Sequence, residues 1–227
     1  MPDPAPAIPS TPAENEDNTP AATRAYRALE RMIVTLELPP ASLSTEQSLV
    51  SLVGLGRTPV REAIQRLAWE GLVEIRPRAG LAIAPLYPGD WLRVLDARRG
   101  VEIVLARSAA RFVTRETAEH FHDAALAMQK AVITGNVIAF LEADKALDEA
   151  MALAADNRFA ARLASPLQSH SRRFWFRYQS DTGLAHAAEQ HVGIIRAIVE
   201  GDEEGAGLAA ESLMALLRSH AEAVARG

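Results

Sequence analysis

The sequence contains no cysteine, which excludes disulfides and cysteine-ligated zinc. No stretch approaches the roughly 20 uninterrupted apolar residues of a membrane-spanning helix. The first residues lack a basic flank followed by an apolar run, so no secretory signal is expected. There is no glycine-rich phosphate loop and no serine in a nucleophile-elbow context. Aromatic residues make up only 5% of the chain. What is present is an ordinary globular balance, 48% hydrophobic and 23% charged over 227 residues, which excludes a wholly disordered chain. These features predict a folded, cytoplasmic protein.

Charge is unevenly spread. The formal net charge is −5, which argues at first against a nucleic-acid partner. Residues 1–20, however, carry four acids and no base, residues 21–88 carry eight arginines against six acids, and residues 89–227 carry 16 bases against 19 acids. A mildly basic segment beside an acidic one is compatible with a DNA-binding module on a near-neutral body. Six of the 13 prolines fall in residues 1–20 and no aromatic does, a composition predicting a disordered tail.

Helical spacing begins at Tyr26, Leu29, Ile33 and Leu36, and Pro39-Pro40 predicts its end. Ser44 and Gln47 have the spacing of a capping box for a second short helix that ends near Gly54. Thr58 can cap a third, with Pro59 at its first position, running to Gly71. Leu72–Arg76 and Leu81–Ala84 alternate around a Pro/Gly turn and read as a β-hairpin. From Asp90 onward the pattern is helical almost without break, implying six or seven helices. The expected domains are therefore the tail 1–20, a module over 21–88 and an all-helical body over 89–227.

Three helices and a hairpin form a winged helix-turn-helix, whose third helix presents side chains from its first turn to the major groove. Here that turn offers Arg57, Thr58 and Arg61, while Arg76 and Arg78 flank the hairpin tip. The alternative is a surface helix whose arginines are simply solvated. Residues 27–86 resemble the DNA-binding domain of the GntR family of bacterial transcription regulators. The resemblance rests on Glu37-Leu38-Pro39-Pro40, on Arg57 through Ile64 (RTPVREAI) and on Gly71 through Gly80 (GLVEIRPRAG). It implies contacts to double-stranded DNA from Arg57, Thr58 and Arg61, and from Ser44, Gln47, Arg78 and Gly80 around the second helix and the wing. Gly56 departs from the family's usual Ser or Thr, and Gln47 from an Arg that often contacts DNA.

Residues 90–222 resemble, more loosely, the FCD effector domain of the FadR-like subfamily, on Asp96-Ala97-Arg98-Arg99 with Glu102, Asp144 through Asp148, Asp156-Asn157, and His191 through Asp202. The resemblance implies a mainly α fold, a winged helix-turn-helix followed by an antiparallel all-α bundle. It also implies a pocket for a small organic acid, frequently beside a divalent metal held by one Asp and three His. Asp144 fits the first position, Asp148 stands where the first His is expected, His191 fits the second His, and Leu213 falls at the last. His220 lies seven residues further on, about 10 Å along a helix axis. One ion (Zn, Ni, Mn or Mg) on Asp144, Asp148 and His191 is thus one reading. The other is a solvated acidic face with His191 a satisfied core residue. Asp144 and Asp148 share a helix face, so without a cation one of two inward carboxylates would have to stay protonated. Arg98 faces the effector in that family, or else pairs with Glu102 four residues on.

The run Arg172–Tyr178 holds four of the 12 aromatics, either as a stacking platform for nucleic acid or as a core-packing helix face. A metal-dependent hydrolase and a protein–protein adaptor are the rival functions. The expectation carried forward is a homodimeric regulator, a repressor on an inverted-repeat DNA operator, responding to a small organic-acid effector, with no enzymatic or membrane role.

Overall fold

A computed structural model of the protein describes residues 19–77, 80–179 and 183–226. Residues 1–18 of the expected tail therefore lie outside the described residues, as does Arg78. Helix α1 spans Ala21–Val34 and buries Ala25, Tyr26, Leu29 and Ile33 on one face. It stops before the prolines: Leu36 lies beyond the helix with φ 59°, so the chain has already turned away when Pro39 arrives. Strand β1 is the dipeptide Leu43–Ser44, followed by α2, Glu46–Val53, and α3, Arg57–Trp69.

Both predicted caps move by a residue or two. Ser44 is committed to strand pairing opposite Leu81, so Thr45 caps α2, in a reciprocal box with Ser48. Gly56, with no side chain to offer, precedes α3. Thr58 is consequently inside the first turn, and Pro59 is the helix's third residue. The hairpin forms from β2, Val73–Arg76, and β3, Gly80–Ile83. Its antiparallel register places Val73 opposite Ile83 and Arg76 opposite Gly80. The added β1 makes three strands in the order β1-β3-β2, so the wing is anchored to the residues just before α2.

Among the described residues six helices follow: α4 (Pro88–Phe112), α5 (Arg115–Thr134), α6 (Val137–Ala154), α7 (Arg158–Tyr178), α8 (Gly183–Val199) and α9 (Glu203–Arg226). The long α4 packs against α9 and α7, α5 against α6, and α8 against α9. Two separate apolar cores result. Leu29, Leu49, Val60, Leu67, Leu72 and Ile83 belong to the N-terminal one. Trp91, Leu105, Phe121, Met128, Phe140, Ile194 and Leu213 belong to the helical one. Among the described residues no helix is long and apolar enough to cross a membrane.

The two units meet along α1 and α7. Ser169 of α7 donates to Glu30 of α1, His170 Nε2 lies 2.9 Å from the Glu70 carbonyl, and Arg173 donates to the Ala84 carbonyl at 2.6 Å. The aromatic run settles into this packing: Phe174 and Trp175 are buried, and Trp91 stacks on Phe174 and Tyr178. This is the core-packing alternative; the rings are not laid out as an exposed platform.

Candidate DNA interface and effector pocket

The first turn of α3 carries Arg57, Thr58 and Arg61, all exposed. With Gly56 before it, no side chain caps the turn, leaving its backbone N–H groups turned outward, a favourable setting for a phosphate. Arg61 is not a free arm. Its guanidinium makes a two-point fork with Glu46 in the first turn of α2, Nε to Oε2 at 3.0 Å and Nη2 to Oε1 at 2.7 Å. That hydrogen-bonded fork holds Glu46 below its usual pKa and Arg61 above its own. Two exposed long side chains gain little stability from such a pair; what it does is orient the guanidinium across the gap between α2 and α3. Gln47 is exposed beside it, and the Ser44 hydroxyl bonds Ser48 at 2.9 Å.

The wing enters through Gly80. Its φ is +88°, and a Cβ built there would lie 2.7 Å from the Ser44 carbonyl oxygen. Only glycine therefore lets the hairpin close this near to α2. Arg76, on β2, is exposed and paired with Glu74 at 2.8 Å.

Arg98, Asp144 and His191 converge in the helical body. With Phe140, Trp175 and Leu217 they line a cavity of about 20 Å³, room for about one water. All three are nearly inaccessible, as is Asp148. His191 Nε2 lies 2.7 Å from Asp144 Oδ1, and its Nδ1 lies 2.6 Å from the Ala187 carbonyl. Both ring nitrogens thus face acceptors, which favours the doubly protonated ring. Burial opposes that charge, but Asp144 and the Ala187 carbonyl prevail and raise the His191 pKa. Arg98 donates Nε to Glu102 at 2.7 Å and reaches Asp148 at 3.9 Å. Arg172 lies between the two carboxylates, bonded to Asp148 and 3.3 Å from Asp144. Burial and the adjacent Asp144 charge push the Asp148 carboxyl up. Asp144 is also penalised by burial, yet His191, Arg172 and Arg98 hold it low.

Comparison with known proteins agrees with this two-part layout. Residues 21–83 match the bacterial regulatory proteins of the gntR family, and residues 93–216, more than half the chain, match the FCD domain. A regulator from the ttuE-ttuC′ intergenic region of Agrobacterium vitis is 31% identical over 130 residues, covering 56% of this chain and 76% of that protein.

The chain belongs to the GntR family, in its FadR-like branch with an FCD domain.

A transcriptional regulator from Streptomyces ambofaciens is 41% identical over 81 residues, but the match spans only 33% of that protein. A probable D-xylose utilization operon repressor from Paenarthrobacter nicotinovorans is 29% identical over 167 residues, 74% of each chain. Two solved structures share the fold: E. coli McbR/YncC, with TM-score 0.74, 16% identity and coverage of 88% of this chain and 98% of that one, and a putative GntR regulator from Rhodococcus sp. RHA1, with TM-score 0.70, 17% identity and coverage of 89% and 97%. The family is one of transcription regulators, not enzymes.

In this GntR regulator the ligand set that the resemblance implied is not assembled. Among the described residues no group of three or more His, Asp or Glu could hold a metal ion. Asp144 and His191 meet, but Asp148 is taken by Arg172. Leu213 is buried in the core and offers no donor. His220 bonds the Tyr178 carbonyl at 2.9 Å and packs its ring on Trp91. These residues do not fit a divalent ion. Nor is the acid pair a solvated face, since both carboxylates are 6% exposed. Arg98 pairs with Glu102, the second of its two expected roles, and also lines the cavity. Arg172, read in the sequence only as the start of the aromatic run, and Glu30 are not expected at this site; the available signal is that two inward acids require a cation from somewhere, and an arginine can supply it.

Proposed function

We propose that this protein is a DNA-binding repressor, working as a homodimer on a short inverted repeat in the bacterial cytoplasm, whose grip on DNA changes when a small organic acid enters the helical body. The observation that carries the reading is the first turn of α3, which exposes Arg57, Thr58 and Arg61 together beside the wing at Gly80. Arginine on a guanine edge discriminates bases, and a two-fold dimer presents two such helices to a palindrome. The fork from Glu46 sets the direction in which Arg61 approaches the groove. Around the pocket, Arg98 and Arg172 offer the planar donor geometry that a carboxylate takes. Because the cavity is so small, an acid larger than water enters only if these side chains rearrange, and that rearrangement supplies the signal.

A gel shift on the DNA upstream of the coding sequence, at two salt concentrations, tests the reading. Specific binding whose log affinity falls linearly with log salt is expected. Equal binding to unrelated DNA of the same length would contradict it. Arg61→Ala is expected to lower operator affinity by roughly ten- to a hundredfold while non-specific binding changes little. An unchanged preference for the operator would remove Arg61 from the interface.

A further inference from the structure

Two acids four residues apart on α6, each 6% exposed, could not both be ionised in that setting without positive charge beside them. The cation present is part of the chain. Arg172, itself 7% exposed, bonds Asp148, lies 3.3 Å from Asp144 and reaches Glu30 of α1 at 3.8 Å. Arg98 adds a second guanidinium at 3.9 Å from Asp148. A divalent ion on the acid pair would have to displace Arg172 from both carboxylates, leaving it Glu30 and the Ser169 hydroxyl in place of two buried charges. It would also need a lone pair from His191 Nε2, and that nitrogen is directed at Asp144 as a donor.

We propose that the pocket is metal-independent by construction. The Arg172 guanidinium occupies the position a divalent ion would take on Asp144 and Asp148, and the same group ties the pocket to α1 through Glu30. The proposal rests on the reading of this cluster as the effector pocket. It differs from that reading in asserting which cation resides there. A tethered cation has a consequence that a free ion lacks. Any ligand carboxylate that draws the guanidinium away acts on the acid pair and on the DNA-binding unit in one movement, because Arg172 contacts both.

The test uses the purified full-length chain, incubated separately with Zn²⁺, Ni²⁺ or Mn²⁺, desalted, and assayed for metal content and melting temperature with and without EDTA. Substoichiometric metal and an unshifted melting temperature are expected. One ion per chain, with a melting-temperature rise that Asp144→Ala abolishes, would overturn the proposal. A second variant asks the question in reverse: Asp148→His with Arg172→Gln and Leu217→His, the last at the α9 residue that lines the cavity, removes the guanidinium and supplies donors beside Asp144 and His191. It is expected to take up one ion per chain and to melt higher with it; a folded variant, by circular dichroism, that takes up none would count against Arg172 as the excluding group. If that variant does not fold, the wild-type metal content alone decides. A gel shift of the same wild-type sample in EDTA keeps the two readings apart. Loss of operator preference in a metal-free, well-folded sample bears on the regulator assignment, whereas the metal content bears on the resident cation.

Discussion

Asp144 and Asp148 are one helical turn apart, and their surroundings treat them differently. Burial disfavours ionisation of both, yet Asp144 has His191, Arg172 and Arg98 to counter it and stays below the ordinary range. Asp148 bears the repulsion of Asp144 and Glu102 as well as burial, and its carboxyl is pushed up. Asp144 is therefore the charge the cluster is built around. Asp144→Asn should cost about 3–5 kcal/mol, the range for removing one partner from a buried ion network, because His191 and Arg172 both lose their counter-charge. Asp148→Asn should cost less, since it also removes a repulsion. Urea unfolding of the two variants checks the order, and equal or inverted losses would contradict it. That two inward carboxylates need compensation was legible from their spacing of four. The identity of the compensating group was not. Arg172 belongs to a different helix, and a loose family pattern pointed to an ion in its place.

At the scale of single elements, helix existence was legible and helix ends were not. The stripe of Tyr26, Leu29 and Ile33 reports burial on one face and survives any tertiary arrangement. Caps depend on what the neighbouring residue is already doing. Ser44 could cap α2 by composition, but its backbone pairs with β3, and Thr45 takes the role. A two-residue strand has no periodicity to read, so β1 was invisible. Gly80 shows how tightly that small sheet is fitted. Gly80→Ala places a methyl 2.7 Å from a backbone oxygen at φ +88°, so a strain of about 1–3 kcal/mol is expected. The loss should fall on the wing: weaker DNA binding with the helical body's circular dichroism unchanged. Undiminished operator affinity would show that the wing can move without consequence.

Helix α7 makes a different prediction. Burial holds the His170 imidazole below its ordinary 6.5, so the unfolded chain binds a proton that the folded chain refuses within that window. Stability is retained above pH 6.5 and falls as the pH drops toward the lowered folded value. His191 has the opposite sign, its contribution present in acid and lost as the pH rises through its raised value. A difference curve separates them: His170→Gln, which keeps a donor toward the Glu70 carbonyl, should flatten the acid side of the melting-temperature profile relative to wild type. Parallel profiles would show that His170 does not titrate in this window.

In the whole molecule the two apolar cores are separate except that Val34 of α1 packs into the helical one, so a small set of polar links contributes strongly to the relative placement of the DNA-binding unit and the helical body. Glu30 is central among them. It is 3% exposed, bonded to Lys145 of α6 and to Ser169 of α7, and close to Arg172. Beside it a groove of about 360 Å³ runs between α1 and α6, with Lys145 and Arg172 on its wall. None of this was legible in the sequence, because the partners are more than a hundred residues apart and each is an ordinary surface-type residue when read alone. A ligand can shift a two-state equilibrium only by its differential affinity for the two states, and a tenfold change in DNA affinity needs ~1.4 kcal/mol. Removing the Glu30 charge should exceed that amount, since unpairing a buried ion network costs about 3–5 kcal/mol. Glu30→Gln keeps the shape and deletes the charge, leaving Lys145 and Arg172 to repel one another across α1. Faster hydrogen exchange is expected in α1 and in the part of α7 around Ser169, while the α4–α9 contact keeps its protection. Uniformly faster exchange would mean that Glu30 serves general stability. Unchanged exchange in α1 would mean that the units are held together by their apolar contacts, and that Arg172 transmits nothing between them.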